Sequence, residues 1–389
     1  MALKTSSRTD IAPFYVMEVM RAAAAREMAG SEVLHLEVGQ PSTPAPQGAR
    51  ERAIAAIQNE LLGYTSALGM DALRERLSLH YQDWYGVNIG AERIAITMGA
   101  SGAFTLAFLA CFEAGDRVAV PSPGYPCYRN TLEALGVEVV EVPVGYDTRF
   151  QPSPSVLDDV GPIDGIVVAS PSNPTGTMLL PNELTELTRW CKERGVRFIS
   201  DEIYHGITYG TSAPTAAAEW EEAVVVNSFS KYFSMTGWRL GWLVLPSDLV
   251  SPVERLAQNA FIAAASVSQH AALGAFESHS ELEGNVERYA INRSILLEGL
   301  PKAGISQLAP ADGAFYIWAQ VDHLCDDSQS LAQEWLDDLG IAVTPGIDFD
   351  PKEGYRFIRF SFAGSTREVE ETVQKLTEWA SDPSPRRTR

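Results

Sequence analysis

Apolar runs of strand length alternate with amphipathic stretches of helix length through most of this chain, and few folds satisfy that order. The strand-like runs are residues 93–98, 117–120, 138–142, 165–169, 196–200, 223–227 and 240–245. Helix-like stretches at 101–113, 125–135 and 181–194 separate several of them. The last begins with Pro181 at a favoured first-turn position and stops before Gly195. Parallel strands need long crossovers, which such helices supply. The expected class is therefore α/β: one wide, mostly parallel sheet flanked by helices.

After about residue 282 the texture changes. A long polar helix leads to strand-like segments at 313–320, 341–344 and 355–362, then to a last helix from Ser365. The N-terminal part reads as helical over 11–29 and extended over 33–38, and it is expected to pack with the C-terminal portion. This gives a large domain over 46–282 and a smaller α+β domain built from 1–45 and 283–389. At 389 residues the chain has length for both. The polar, proline-interrupted segment 381–389 reads as a frayed end. No internal repeat or low-complexity segment appears.

Charge and cysteine content narrow the function classes. Asp plus Glu number 50 against 30 Lys plus Arg, a formal charge of -20, which disfavours nucleic acid and anionic membrane surfaces as partners. Cys111, Cys127, Cys191 and Cys325 are widely spaced with no C-x-x-C, so neither a zinc ribbon nor a disulfide framework is indicated. No signal peptide or membrane span is read, and a reducing cytoplasm is the expected location.

Ligands of open parallel sheets sit beyond the carboxyl ends of the strands, so the residues that follow each strand carry the functional reading. After 223–227 comes Ser228-Phe229-Ser230-Lys231, with Tyr232, Phe233 and Trp238 close by and Arg239 eight positions beyond the lysine. Aromatic surroundings desolvate the ammonium and favour the neutral, nucleophilic amine. Arg239 suits a phosphate bidentately, with Ser228 and Ser230 as further donors. After 93–98 comes Gly99-Ala100-Ser101-Gly102-Ala103 opening a helix, a second phosphate cradle. Ser172-Asn173-Pro174-Thr175-Gly176 is a turn presenting Asn173. Asp201-Glu202-Ile203-Tyr204 places a carboxylate suited to a pyridine nitrogen and a phenol suited to a ring oxygen. Tyr125 can stack on a ring. Together these read as a pyridoxal phosphate site. Taken singly each has a plainer reading: Asp201 as a helix cap, Tyr125 as a packed loop aromatic, the glycine-rich stretch as a tight turn.

In this order the motifs resemble the fold-type I pyridoxal phosphate enzymes, and within them the class I/II aminotransferases, from Gly39 to Arg359. The resemblance implies a Schiff base on Lys231, Asp201 on the ring nitrogen, Asn173 and Tyr204 on the ring oxygen, and Tyr125 over the ring. It assigns the phosphate to Ser101 and its flanking amides including Gly102, Ser228, Ser230 and Arg239. It also implies that Arg359 grips the substrate α-carboxylate with the backbone at Gly39 as a second contact. Tyr64 would reach the phosphate of a neighbouring subunit, which makes a homodimer the expected unit. The implied activity is ping-pong transfer of an amino group between an L-amino acid and a 2-oxo acid.

Four other readings compete. Ser228-Phe229-Ser230-Lys231 fits the S-x-x-K of serine β-lactamases, but no Ser-Asp-Asn or Lys-Thr-Gly triplet accompanies it. Gly99 to Ala103 approaches a nucleophile elbow, with Ala103 where the second glycine belongs, and none of His35, His80, His205, His270, His279 or His323 stands in a persuasive context. A non-catalytic cofactor-binding regulator would need a basic domain that the sequence before Ile11 does not hold. A carbon-sulfur β-lyase shares every residue named. On substrate, the stretch 261–268 carries no charge, whereas the animal-type aspartate branch of the resembled family places a carboxylate-binding arginine near there. Phe14, Tyr15 and Val16 read as a cover favouring neutral or aromatic side chains.

Overall fold

A computed structural model describes residues 3–382. Twelve strands are present among them: β1 (Leu34–His35), β2 (Ile94–Thr97), β3 (Arg117–Ser122), β4 (Glu138–Pro143), β5 (Gly165–Ala169), β6 (Arg197–Asp201), β7 (Val224–Ser228), β8 (Gly241–Val244), β9 (Tyr316–Gln320), β10 (Ile341–Ala342), β11 (Thr344–Pro345) and β12 (Phe357–Ser361). The seven strands expected in the first part form one sheet in the order β2-β8-β7-β6-β5-β3-β4. Pairs among β3 to β7 are parallel, while β8 runs against both β7 and β2. The direction of β8 has a local cause. Residues 229–240 contain only the short turn Thr236–Trp238, too little chain for a helical crossover, so the strand returns antiparallel. Val224, Val225 and Val226 are all fully buried, the continuous apolar run of a strand covered on both faces.

The remaining strands lie in two small sheets. β11, β12 and β9 form an antiparallel sheet in that order, and β1 pairs in parallel with β10. The pairing of Leu34 with Ile341 joins the N-terminal segment to the C-terminal third. Helix α1 covers Tyr15–Met28, shorter than the expected 11–29. Pro13 biases residue 12 toward extended backbone, and 10–14 accordingly carries no helical assignment. The last helix, Thr366–Ser381, starts at the Ser365 cap, with Glu368 closing a capping box. The expected frayed segment lies, from residue 383 on, outside the described residues. No helix of the described residues is long and apolar enough to cross a membrane.

Candidate active site

The carboxyl ends of β3, β5, β6 and β7 open onto a cavity of about 360 Å³, which residues of α1 and of the small sheet also line. Of the residues singled out in the sequence, Gly39, Ser101, Tyr125, Asn173, Asp201, Tyr204, Ser230, Lys231, Arg239 and Arg359 line it. Ser228, Gly102 and Tyr64 do not. The Ser228 hydroxyl donates to the Leu240 carbonyl at 3.0 Å and accepts from the Ser230 amide at 3.1 Å, so it shapes the turn beneath Ser230. Gly102 is buried in the helix Gly99–Cys111, and Tyr64 is 85% exposed on the outer surface.

Lys231 sits just beyond β7 with its Nζ donating to the Gly39 carbonyl at 2.6 Å. The rings of Tyr204 and Phe315 lie 5.7 and 5.8 Å from that nitrogen. Burial lowers the amine to about 8, helped by the Arg359 charge and opposed by Asp201. A lysine brought this near neutrality is available as a nucleophile and as a base.

Asp201 ends β6 and is almost wholly buried. Its carboxylate accepts the Ile203 amide at 3.0 Å and the Tyr128 hydroxyl. Burial still raises it to about 6, since these donors only partly offset the missing water. A cationic N–H in the cavity would complete its neutralisation. Tyr128 itself stands one helical turn after Tyr125, and i,i+3 spacing on the helix Pro126–Leu135 was the signal that could have found it.

At the other end Arg239, Ser230, Ser101 and the N-terminus of the helix Gly99–Cys111 converge. Gly99 adopts φ +70°, and a Cβ there would meet the Arg239 guanidinium at 2.7 Å. The arginine is thus laid directly against the turn that opens the helix, giving an anion cradle of backbone amides plus guanidinium. Thr236, not foreseen, also lines the cavity and donates to the Ser230 carbonyl at 2.9 Å.

Arg359 rises from β12 and is 3% exposed. It donates to Asn173 Oδ1 at 2.8 Å, to Thr344 Oγ1 at 3.2 Å and to the Glu37 carbonyl. Its guanidinium carbon lies 4.5 and 4.6 Å from the ring centroids of Tyr316 and Phe349, and its Nε has no partner. An orphaned N–H on a buried, stacked guanidinium is a ready seat for a carboxylate. Asn173 is brought here by its turn: Gly176, at φ +69°, packs where a Cβ would meet the Tyr316 carbonyl at 2.7 Å. With Oδ1 engaged by Arg359, the Asn173 Nδ2 is left as a donor. The Tyr204 hydroxyl pairs with Tyr316 at 2.7 Å, and burial drives Tyr204 and Tyr125 upward, so both remain phenols. No histidine lines the cavity among the described residues, so the nucleophile-elbow reading finds no histidine base there.

The chain is similar to known proteins over nearly its whole length. Residues 31–376 match the family described as aminotransferase class I and II. A valine–pyruvate aminotransferase of Mycobacterium tuberculosis is 49% identical over 382 residues, 97% of this chain and 98% of that protein. A (5-formylfuran-3-yl)methyl phosphate transaminase of Methanocaldococcus jannaschii is 32% identical over 94% of this chain and 96% of its own. Among solved structures, an aminotransferase from Mycobacterium tuberculosis superposes with a TM-score of 0.95 at 48% identity, covering 97% of this chain and 99% of that one. The aspartate aminotransferase of Thermus thermophilus with maleate gives 0.92 at 27% identity, over 97% and 100%.

Proposed function

Because the chain belongs to the class I and II aminotransferases and is a pyridoxal phosphate-dependent aminotransferase, we propose that it moves the amino group of a neutral, apolar L-amino acid of the valine type to a small 2-oxo acid such as pyruvate. The observation that carries this is the apolar roof of the cavity: Phe14, Val16, Met17 and Met20 line it together with Lys231 and Arg359. The name of the 49% identical relative points the same way. The lyase alternative draws no support from these relatives, both of which are named as transaminases.

The residues fit the cofactor in kind and order: an anion cradle at one end, a buried carboxylate at the other, an amine of lowered pKa between them. Pyridoxal phosphate, when bound, supplies an aldehyde that captures the amino group and a protonated ring that withdraws electrons from the α-carbon. Lys231 would hold it through Nζ until substrate arrives, and the freed amine would then move the α-proton from the α-carbon, across the substrate nitrogen, to the former aldehyde carbon. Asp201 keeps the ring nitrogen protonated, with Tyr128 positioning the carboxylate. Asn173 and Tyr204 would donate to the ring oxygen, and Tyr125, on the same cavity wall, would pack against the ring. Arg239, Ser230, Ser101 and the amides at Gly102 hold the phosphate. Ser228 acts from beneath through Ser230. Arg359, with the backbone at Gly39, orients the α-carboxylate, and the roof keeps water from the α-carbon.

Residues 46–282 are the proposed cofactor-binding domain, while 1–45 with 283–389 supply Arg359 and the roof. The proposed unit is a homodimer in which exposed Tyr64 reaches the neighbouring phosphate. Its exposed neighbour Leu61 and the exposed Ile54 and Ile57 on the preceding helix support a covered surface there. A cytoplasmic location is proposed from the four free cysteines. The deciding experiment is a panel of amino donors against pyruvate and 2-oxoglutarate. Valine-type donors with pyruvate should give the highest kcat/KM; aspartate with 2-oxoglutarate in first place would overturn the substrate assignment.

A further inference from the structure

Helix α1 begins without a side-chain cap of its own. Phe14 occupies the N-cap position and offers no acceptor. The acceptor comes from the far end of the chain: Asp348 Oδ1 takes the Tyr15 amide at 3.1 Å and Oδ2 takes the Val16 amide at 3.2 Å. Asp348 belongs to the turn Gly346–Asp348 that follows β11, is 3% exposed, and lines the same cavity as the helix it caps. An ionised carboxylate offers both oxygens as acceptors with no proton to place, which is what two separate peptide donors call for. Burial raises the carboxyl above its ordinary range, and these two amides, Arg359 and Arg129 offset only part of that rise.

The charges on the cavity wall can be apportioned. Asp201, Lys231, Arg239, Asp348 and Arg359 are the charged side chains that line it among the described residues. On the assignment above, the first three serve the cofactor. Arg359 serves the α-carboxylate. Only Asp348 remains for the substrate side chain, and it is negative. A second carboxylate arriving at this wall would meet a like charge, lose water to Phe14, Val16, Met17 and Met20, and find no unassigned cation among the described residues that line the cavity. The uncharged stretch 261–268 offers no compensation.

We infer that Asp348 determines which acids the enzyme accepts: it clamps the apolar roof over the substrate side chain, and its charge turns away dicarboxylates in favour of monocarboxylates with apolar side chains. This rests on the aminotransferase site proposed above, and the tests separate the two. For the holoenzyme with one amino donor, kcat/KM is measured for pyruvate and for 2-oxoglutarate in wild type, Asp348→Asn and Asp348→Glu. The ratio of 2-oxoglutarate to pyruvate should rise tenfold or more in Asp348→Asn and stay near wild type in Asp348→Glu. An unchanged ratio in Asp348→Asn, or an equal rise in both variants, overturns the inference and leaves the function standing. Wild type that transaminates no 2-oxo acid overturns the function instead, and the inference with it.

Two readouts do not depend on turnover by the Asn variant. In wild-type holoenzyme, cofactor absorbance should report succinate binding no tighter than propionate; tighter succinate would overturn the charge argument. In cofactor-free protein, amide hydrogen exchange at Tyr15 and Val16 should be faster in Asp348→Ala than in wild type. Equal exchange would overturn the clamp.

Discussion

The floor of the cavity is made of strand ends, whereas its roof is a helix that leans on one distant carboxylate. Asp201 and Ser228 are the last residues of β6 and β7, and both strands are held in the interior of a seven-stranded sheet by hydrogen bonds on two sides. α1, by contrast, buries only Ala23 completely along its whole length. The segment before it is tied by the Asn130 side chain to the Ala12 carbonyl at 3.3 Å, and its start by Asp348. Groups that handle a proton must be fixed to within fractions of an ångström, and sheet ends achieve that. A surface that only has to suit one side chain better than another can be lightly held and remodelled. On the proposed assignment, chemistry therefore belongs to the floor and selection to the roof.

The sharpest way to break this division is at the floor. Lys231→Ala should lower transamination by about 10⁴-fold or more and remove the visible absorbance of the bound cofactor; retained turnover would take Lys231 out of the mechanism. A smaller effect is expected at the support of Asp201. In the cofactor-free protein its raised pKa means that its contribution to stability is fullest below the ordinary carboxylate range and is lost as pH rises through about 6, because the carboxylate must then ionise without a cation. Bound cofactor should remove that loss, which thermal melts of the two forms across pH 4 to 8 would show. Tyr128→Phe deletes a donor to the ionised form, so the pH below which cofactor is released should move toward neutral, with binding weakened about tenfold near that limb. The smallest effects belong to the roof. Phe14→Ala and Met20→Ala should raise KM for apolar donors several-fold while cofactor absorbance and kcat with saturating donor change little. If the roof variants lost cofactor, the two regions would not be separable.

The same division governs what could be read from the chain. Asn173, Asp201, Tyr204 and Lys231 each lie within four residues of a strand whose apolar run is plain, so their convergence follows from the sheet alone. Arg359 and Gly39 had no such local anchor and were placed by resemblance. Asp348 was not found, because its partners are 333 and 332 positions away and nothing around Ile347-Asp348-Phe349 marks a helix cap. Tyr316 escaped for a like reason: its contact to Tyr204 bridges separate sheets, while Arg359 stacks on it from the adjacent strand β12. The antiparallel β8 was hidden in an alternation that otherwise means parallel strands, although the short span 229–240 contained the reason.

Asn173 stands between the proposed substrate and cofactor contacts. One end of its amide is bonded to Arg359, and on the proposed assignment the other faces the ring oxygen of the cofactor. A carboxylate that arrives at Arg359 competes for the guanidinium that now holds Asn173 Oδ1, and any slackening there is passed directly to the chromophore. On that assignment the enzyme would carry its own optical gauge of substrate docking: an unreactive carboxylic acid, with no amine to exchange, should still tint the cofactor band as it binds, and Asn173→Ala should leave the gauge blind while the acid still binds.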